Sequence, residues 1–158
     1  MTITRRYRFS ASHRLHSPEF SDAENAKIYG KCNNPFGHGH DYILQVTIAG
    51  EPDDQTGLII PIPALDQFIE ERVLQLFAGR NINLDVPHFA TLPPTTENVA
   101  LVITALLEQH WRDSFGDAAA HIRRVHVQET DRNGFEVRVN APLARASINQ
   151  TESEIVHV

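Results

Sequence analysis

Residues 3–13 alternate, with Tyr7, Phe9, Ala11 and His13 on one face and Arg6, Arg8, Ser10 and Ser12 on the other. A period of two cannot be wound into a helix without scattering the apolar residues, so the chain must begin as a strand with one side to cover. A second strand follows from about His38 to Ala49, through Tyr42-Ile43-Leu44-Gln45-Val46-Thr47-Ile48. The period then changes to helical over roughly 63–78, where Leu65, Phe68, Ile69, Val73, Leu76 and Phe77 form a stripe. A proline-rich loop separates it from a second helix, which opens on Thr95-Thr96-Glu97-Asn98, a capping sequence with an acidic first turn, and continues through Val99, Val102, Ile103, Leu106 and Leu107. Two closing strands, near 121–130 and 134–140, are joined by Thr130-Asp131-Arg132-Asn133-Gly134, where Asn-Gly is a hairpin signal. The order strand-strand-helix-helix-strand-strand predicts an α+β fold, with four antiparallel strands carrying two helices on one face. Such a sheet keeps two edges to protect, and pairing them between subunits is one solution, so a homo-oligomer is expected.

Composition narrows the class. The 158 residues, 41% hydrophobic and 22% charged, suit one domain spanning 1–158 with a core that needs no disulfide. No run approaches the ~18 apolar residues of a membrane span. The start, Met1-Thr2-Ile3-Thr4-Arg5-Arg6, lacks the apolar core of a secretion signal, and the single cysteine fits a reducing compartment; a cytoplasmic location is expected. The net charge of −6 argues against a nucleic-acid partner, and no basic helix invites a membrane. Basic residues cluster early (Arg5, Arg6, Arg8, Arg14, Lys27, Lys31), and charge alone favours a solvated strand edge over an anion pocket. Residues 17–36, rich in Ser, Pro, Asn, Gly and Asp, read as a long loop.

The chemistry concentrates at Gly37-His38-Gly39-His40-Asp41. Residues two apart on a strand share a face at about 6.6 Å, close enough for both imidazoles to converge on one ion. His13 ends the first strand on the same face as Phe9 and Ala11, and pairing of the two strands would complete a three-histidine set. Three histidines with one open position describe a catalytic zinc site, not a closed structural one. His16, His110, His121, His126 and His157 have no such companions. Cys32 is six residues before His38: beside a zinc ion its thiolate would serve as base or nucleophile, and away from one it is a small buried hydrophobe. Glu129, at the end of the third strand, is a carboxylate able to accept two N–H bonds from a planar amidine-like edge, or else a solvated strand end.

Several segments together resemble the 6-pyruvoyl-tetrahydropterin synthase family: Phe9-Ser10-Ala11-Ser12-His13-Arg14-Leu15, the run Gly30-Lys31-Cys32-Asn33-Asn34-Pro35-Phe36-Gly37-His38-Gly39-His40-Asp41-Tyr42, Thr95-Thr96-Glu97-Asn98-Val99-Ala100, and Glu129-Thr130. The likeness runs from about residue 5 to 140, and the cysteine-to-histidine spacer has the pyruvoyl-synthase length rather than that of the related 6-carboxytetrahydropterin synthases. The resemblance implies the T-fold, in which subunits pair sheets into a barrel, commonly a trimer stacked into a hexamer. It implies zinc on His13, His38 and His40, and Cys32 as general base or acid. Glu129 would anchor the ring of a reduced pterin, helped by Thr95, Thr96 and Glu97. The implied substrate is 7,8-dihydroneopterin triphosphate, from which a lyase eliminates triphosphate.

One departure stands out. The family carries an Asp-His pair near the end of the first helix, completing a triad with the cysteine; a gapless alignment through Asp85-Val86-Pro87 puts Ala78-Gly79 there. Three readings follow: His88 substitutes as the base, the chain runs an altered reaction on a reduced pterin with zinc and Cys32 alone, or it binds a pterin or purine without turning it over.

Overall fold

The computed structural model describes residues 1–116 and 120–140. Strand β1 (Thr2–His13) pairs antiparallel with β2 (His38–Ala49), β2 with β3 (His121–Thr130), and β3 with β4 (Asn133–Arg138), so the sheet order is β1-β2-β3-β4. Helix α2 (Ile62–Ile69) runs on through a π-helical stretch, Glu70–Leu74, into α3 (Gln75–Phe77), and the long α5 (Thr96–Phe115) follows.

Parity dictates the layers. Phe9, Ala11, Tyr42, Leu44, Val46, Ile48, Val125 and Val127 all face the helices and are buried against Leu65, Phe68, Ile69, Val73, Phe77, Val99, Ile103 and Leu107. Both helical stripes expected from the sequence therefore meet the apolar side of the sheet. Arg5 shares that side, where its guanidinium grips Asp66 of α2 through Nε at 3.0 Å and Nη2 at 2.6 Å, and Tyr7 donates to the same carboxylate. It is thus a strand-to-helix clamp, whereas Arg6 and Arg8 are exposed on the opposite side.

The segment 17–36 is not wholly loop. It holds α1 (Asp22–Tyr29) and a 3-10 turn, Gly30–Asn33. A full capping box starts α1: Ser21 accepts from the Glu24 amide, and Glu24 returns a bond from the Ser21 amide at 2.9 Å. Periodicity cannot reveal this helix, because the one residue it buries is Asn25, whose amide ties Ser17 and Phe20 into place. The proline-rich loop likewise holds a short helix, α4 (Ile82–Asp85), and a 3-10 turn, Pro87–Phe89.

After Phe77 the chain turns along the outer edge of β1. Gly79 N–H donates to Ser10 O at 2.7 Å, Ser12 N–H donates to Arg80 O at 2.9 Å, and Asn81 bridges Ser12.

Candidate metal centre and substrate site

The strand register builds the histidine cluster. His13 lies opposite His38 and Ala11 opposite His40, so the three imidazoles occupy neighbouring positions on the helix-facing side. Their ring centroids are 4.9 Å (His13 to His38), 5.1 Å (His13 to His40) and 4.7 Å (His38 to His40) apart. His13 is fully buried, and its Nδ1 donates to the Pro94 carbonyl at 2.9 Å, which leaves Nε2 as the lone-pair nitrogen. That Nε2 and the Nε2 of His40 are both buried with no hydrogen-bond partner. Buried polar atoms are normally satisfied, so two orphaned imidazole nitrogens aimed at one spot mark a place for a ligand. A cation that prefers nitrogen donors fits this set.

The cluster sits close to a turn that tolerates only glycine. Gly37 has φ +68°, and a Cβ there would stand 2.7 Å from the His13 carbonyl oxygen. Gly37→Ala is expected to cost roughly 1–3 kcal/mol in stability and to weaken metal retention by displacing His38. Denaturant unfolding and metal analysis check both, and an unaltered midpoint would show that the turn yields.

Two further groups converge. Leu15 N–H donates to Cys32 O at 2.7 Å and Asn33 donates to Leu15 O at 2.7 Å, so the 3-10 turn is laced to the chain leaving β1. This brings the half-buried Cys32 thiol to within 4.8 Å of ligand nitrogens of His13 and His38. Burial, with Glu129 nearby, pushes the thiol's pKa up. Glu129 arrives from a β-bulge between Gln128 and Thr130, an irregularity that frees it from a cross-strand partner. Its Oε1 lies 3.6 Å from His13 Nε2 and 4.0 Å from His40 Nε2, and its Oε2 accepts from Asn133 at 2.8 Å. Asn133 also donates to Thr96 Oγ1 at 2.8 Å, joining the start of α5 to the end of β3.

The residues singled out in the sequence thus divide. His13 is shared by two ligand-spaced groups, one with Cys32 and His38 and one with His40 and Glu129, and Thr96 is linked to Glu129 through Asn133. Thr95 caps α5 by accepting from the Asn98 amide, Glu97 is exposed in the first turn, and His88 is exposed on the Pro87–Phe89 turn. Among the described residues no hydrogen bond, ion pair or ring contact joins His88 to Cys32 or the three imidazoles. Of the other histidines, His16 bonds Arg14 and Asn33, while His157 lies outside the described residues. Three contributors were not singled out as site residues in the sequence: Tyr42, whose hydroxyl is 3.4 Å from both His13 Nδ1 and Glu129 Oε1, the Pro94 carbonyl, and Asn133.

Burial lowers the pKa of His13, and burial together with His40 lowers that of His38. An imidazole held below its ordinary 6.5 takes up a proton later than in the unfolded chain, so its stability contribution is present above 6.5 and is lost as the pH falls through the lowered value. Metal-free protein is expected to lose thermal stability on acidification below about 6.5, with a shallower slope in His13→Gln. Parallel slopes would assign the acid sensitivity elsewhere.

The family model described as 6-pyruvoyl tetrahydropterin synthase matches residues 2–140. The 6-pyruvoyl tetrahydrobiopterin synthase of Homo sapiens is 44% identical over 131 residues, covering 83% of this chain and 86% of its own. That of Dictyostelium discoideum is 37% identical over 131 residues, covering 83% and 90%. The solved structure of Caenorhabditis elegans 6-pyruvoyl tetrahydropterin synthase superposes with a TM-score of 0.79 at 36% identity, over 89% of this chain and 96% of that one. A Plasmodium falciparum structure of the same description, 15% identical with a TM-score of 0.60, shares the fold. The chain belongs to the 6-pyruvoyl tetrahydropterin synthase family.

Proposed function

We propose that the chain is a zinc-dependent lyase of the 6-pyruvoyl-tetrahydropterin synthase type, acting on 7,8-dihydroneopterin triphosphate or a closely related reduced pterin. The observation that carries this reading is the pair of orphaned Nε2 atoms on His13 and His40, facing a carboxylate and close to a thiol. His13, His38 and His40 would hold the metal, with Pro94 fixing the His13 tautomer. When bound, zinc would polarise the side-chain oxygens of the substrate and lower the cost of removing a carbon-bound proton. Glu129, braced by Asn133, accepts the amino-pyrimidine edge of the ring, and the Thr95-Thr96-Glu97 turn at the start of α5 flanks it. Cys32 moves the proton. Its raised pKa suits a group that holds its proton until substrate and metal lower it. The subunits would associate through their exposed sheet edges into a trimer or hexamer.

The test is to load purified protein with zinc, supply dihydroneopterin triphosphate and follow triphosphate release. Absence of release above the level of Cys32→Ala would overturn the reading.

His88, exposed on the Pro87–Phe89 turn, is the remaining protein group we assign to proton transfer. His88→Ala is expected to lower kcat by roughly 10²-fold with little change in KM; an unchanged kcat removes His88 from the mechanism.

Ala78-Gly79 favours a second reading, a non-catalytic pterin- or purine-binding oligomer, because neither residue can carry a proton. Saturable pterin binding, lost in Glu129→Ala and unaccompanied by any zinc-dependent chemical change, would favour that reading over the lyase.

A further inference from the structure

The side-chain amide of Asn133 dictates which way round its polar neighbours face. Its Nδ2 lies 2.8 Å from Glu129 Oε2 and 2.8 Å from Thr96 Oγ1. A carboxylate oxygen can only accept, so the group turned toward Glu129 is the NH2 of the amide and not its carbonyl. The same NH2 gives its second proton to Thr96, whose hydroxyl oxygen therefore accepts. With that oxygen engaged, the Thr96 proton is left over. The residue is 3% exposed, and among the described residues its O–H has no acceptor. Buried donors are normally satisfied, so an unused one linked to a buried carboxylate marks a hydrogen bond reserved for a ligand. Glu129, its side chain 8% exposed, also has capacity left: Oε1 accepts from the Tyr42 hydroxyl alone, at 3.4 Å, and Oε2 keeps a second lone pair.

We propose that Asn133 is a positioning residue that sets the donor and acceptor order of the recognition edge. It makes the Thr96 hydroxyl a donor and leaves the Glu129 oxygens as acceptors, so the ligand has to present a carbonyl oxygen beside two N–H groups. This rests on the pterin reading above and deepens it. The 2-amino-4-oxo-pyrimidine edge of a pterin has that order: its 4-oxo group meets Thr96, and its N3–H and 2-amino group meet Glu129. A 4-amino pteridine turns an N–H toward the Thr96 proton, and its N3, which carries no hydrogen, faces a carboxylate. Its rejection comes from like groups left opposite one another with no partner.

Paired binding titrations test this without reference to turnover. The full chain is titrated with neopterin, a fully oxidised pterin, and with its 4-amino analogue, at a pH where the analogue is uncharged. Wild type is expected to favour neopterin by about 10–100-fold, the worth of a buried hydrogen bond left unmade. Asn133→Ala is expected to reduce that ratio to a few-fold, because the released hydroxyl can turn to suit either ligand. Thr96→Val should reduce it likewise and Thr96→Ser restore it, and adding Asn133→Ala to Thr96→Val should change it no further. A residue that only props the fold would weaken both ligands by a common factor and leave the ratio where it is. An unchanged ratio in Asn133→Ala overturns the proposal, as does an unchanged ratio in Thr96→Val, which decides the matter if Asn133→Ala does not fold. The pterin reading survives either result so long as Glu129→Ala abolishes neopterin binding. Neopterin binding unaltered in Glu129→Ala would bring down that reading and this inference together.

Discussion

Replacing His13 or His40 with alanine is expected to strip the protein of metal and to end turnover. Loss of an outer-shell partner alone typically costs 10–100-fold in metal affinity, and removal of one of three primary ligands should exceed that. Metal polarisation of the reacting oxygens contributes several kcal/mol to the barrier, so kcat should fall on the order of 10³-fold or more. The two variants separate site from scaffold. His13→Ala also leaves the Pro94 carbonyl unpaired in a buried place, adding about 1–3 kcal/mol of destabilisation. His40 is partly exposed and takes part in no comparable backbone bond among the described residues, so His40→Ala should lose metal with less change in unfolding midpoint. Elemental analysis read beside a denaturant curve decides the matter: full metal occupancy in a folded His40→Ala protein would exclude this histidine as a ligand.

The second large effect concerns Cys32. Cys32→Ala is expected to lower kcat by roughly 10²–10⁴-fold, the range of a positioned proton-transfer group, while pterin binding stays near wild type because Glu129 and Asn133 are untouched. Cys32→Ser keeps the shape and raises the pKa of the acid, so it should recover only a small part of the rate. A variant with unaltered turnover would move the proton-transfer role away from the thiol.

Much of this is legible in the sequence. The parity of Phe9, Ala11 and His13, set against that of His38, His40 and Tyr42, determines which side of the sheet each occupies, and the observed register places His13 opposite His38. The helix opening at Thr95 and the existence of a hairpin after β3 were legible because capping and turn chemistry act over four or five residues, but Asp131 and Arg132 form the turn, and Asn133-Gly134, expected there, pair with β3 instead. What stayed hidden depends on distant contacts or on signals without a period. Helix α1 presents no apolar stripe, so only its capping box, Ser21 with Glu24, announces it. The π-helical stretch lies inside a stripe that looks uninterrupted. Asn133 reads as a turn residue, yet its side chain spans Thr96 and Glu129, and the Pro94 carbonyl that sets the His13 tautomer is a backbone group no pattern can flag.

The segment that follows Phe77 has a bearing on assembly. By bonding to Ser10 and Ser12, residues Gly79 to Asn81 consume the outward amide and carbonyl groups of the last part of β1. Only the stretch through Thr4, Arg6 and Arg8 still offers a ladder to an incoming strand, so a neighbour meeting this border has a fixed stopping point and cannot slide toward the histidines. The two arginines within that stretch further discourage a second β1 from docking there, which biases the border toward an unlike, acid-bearing strand.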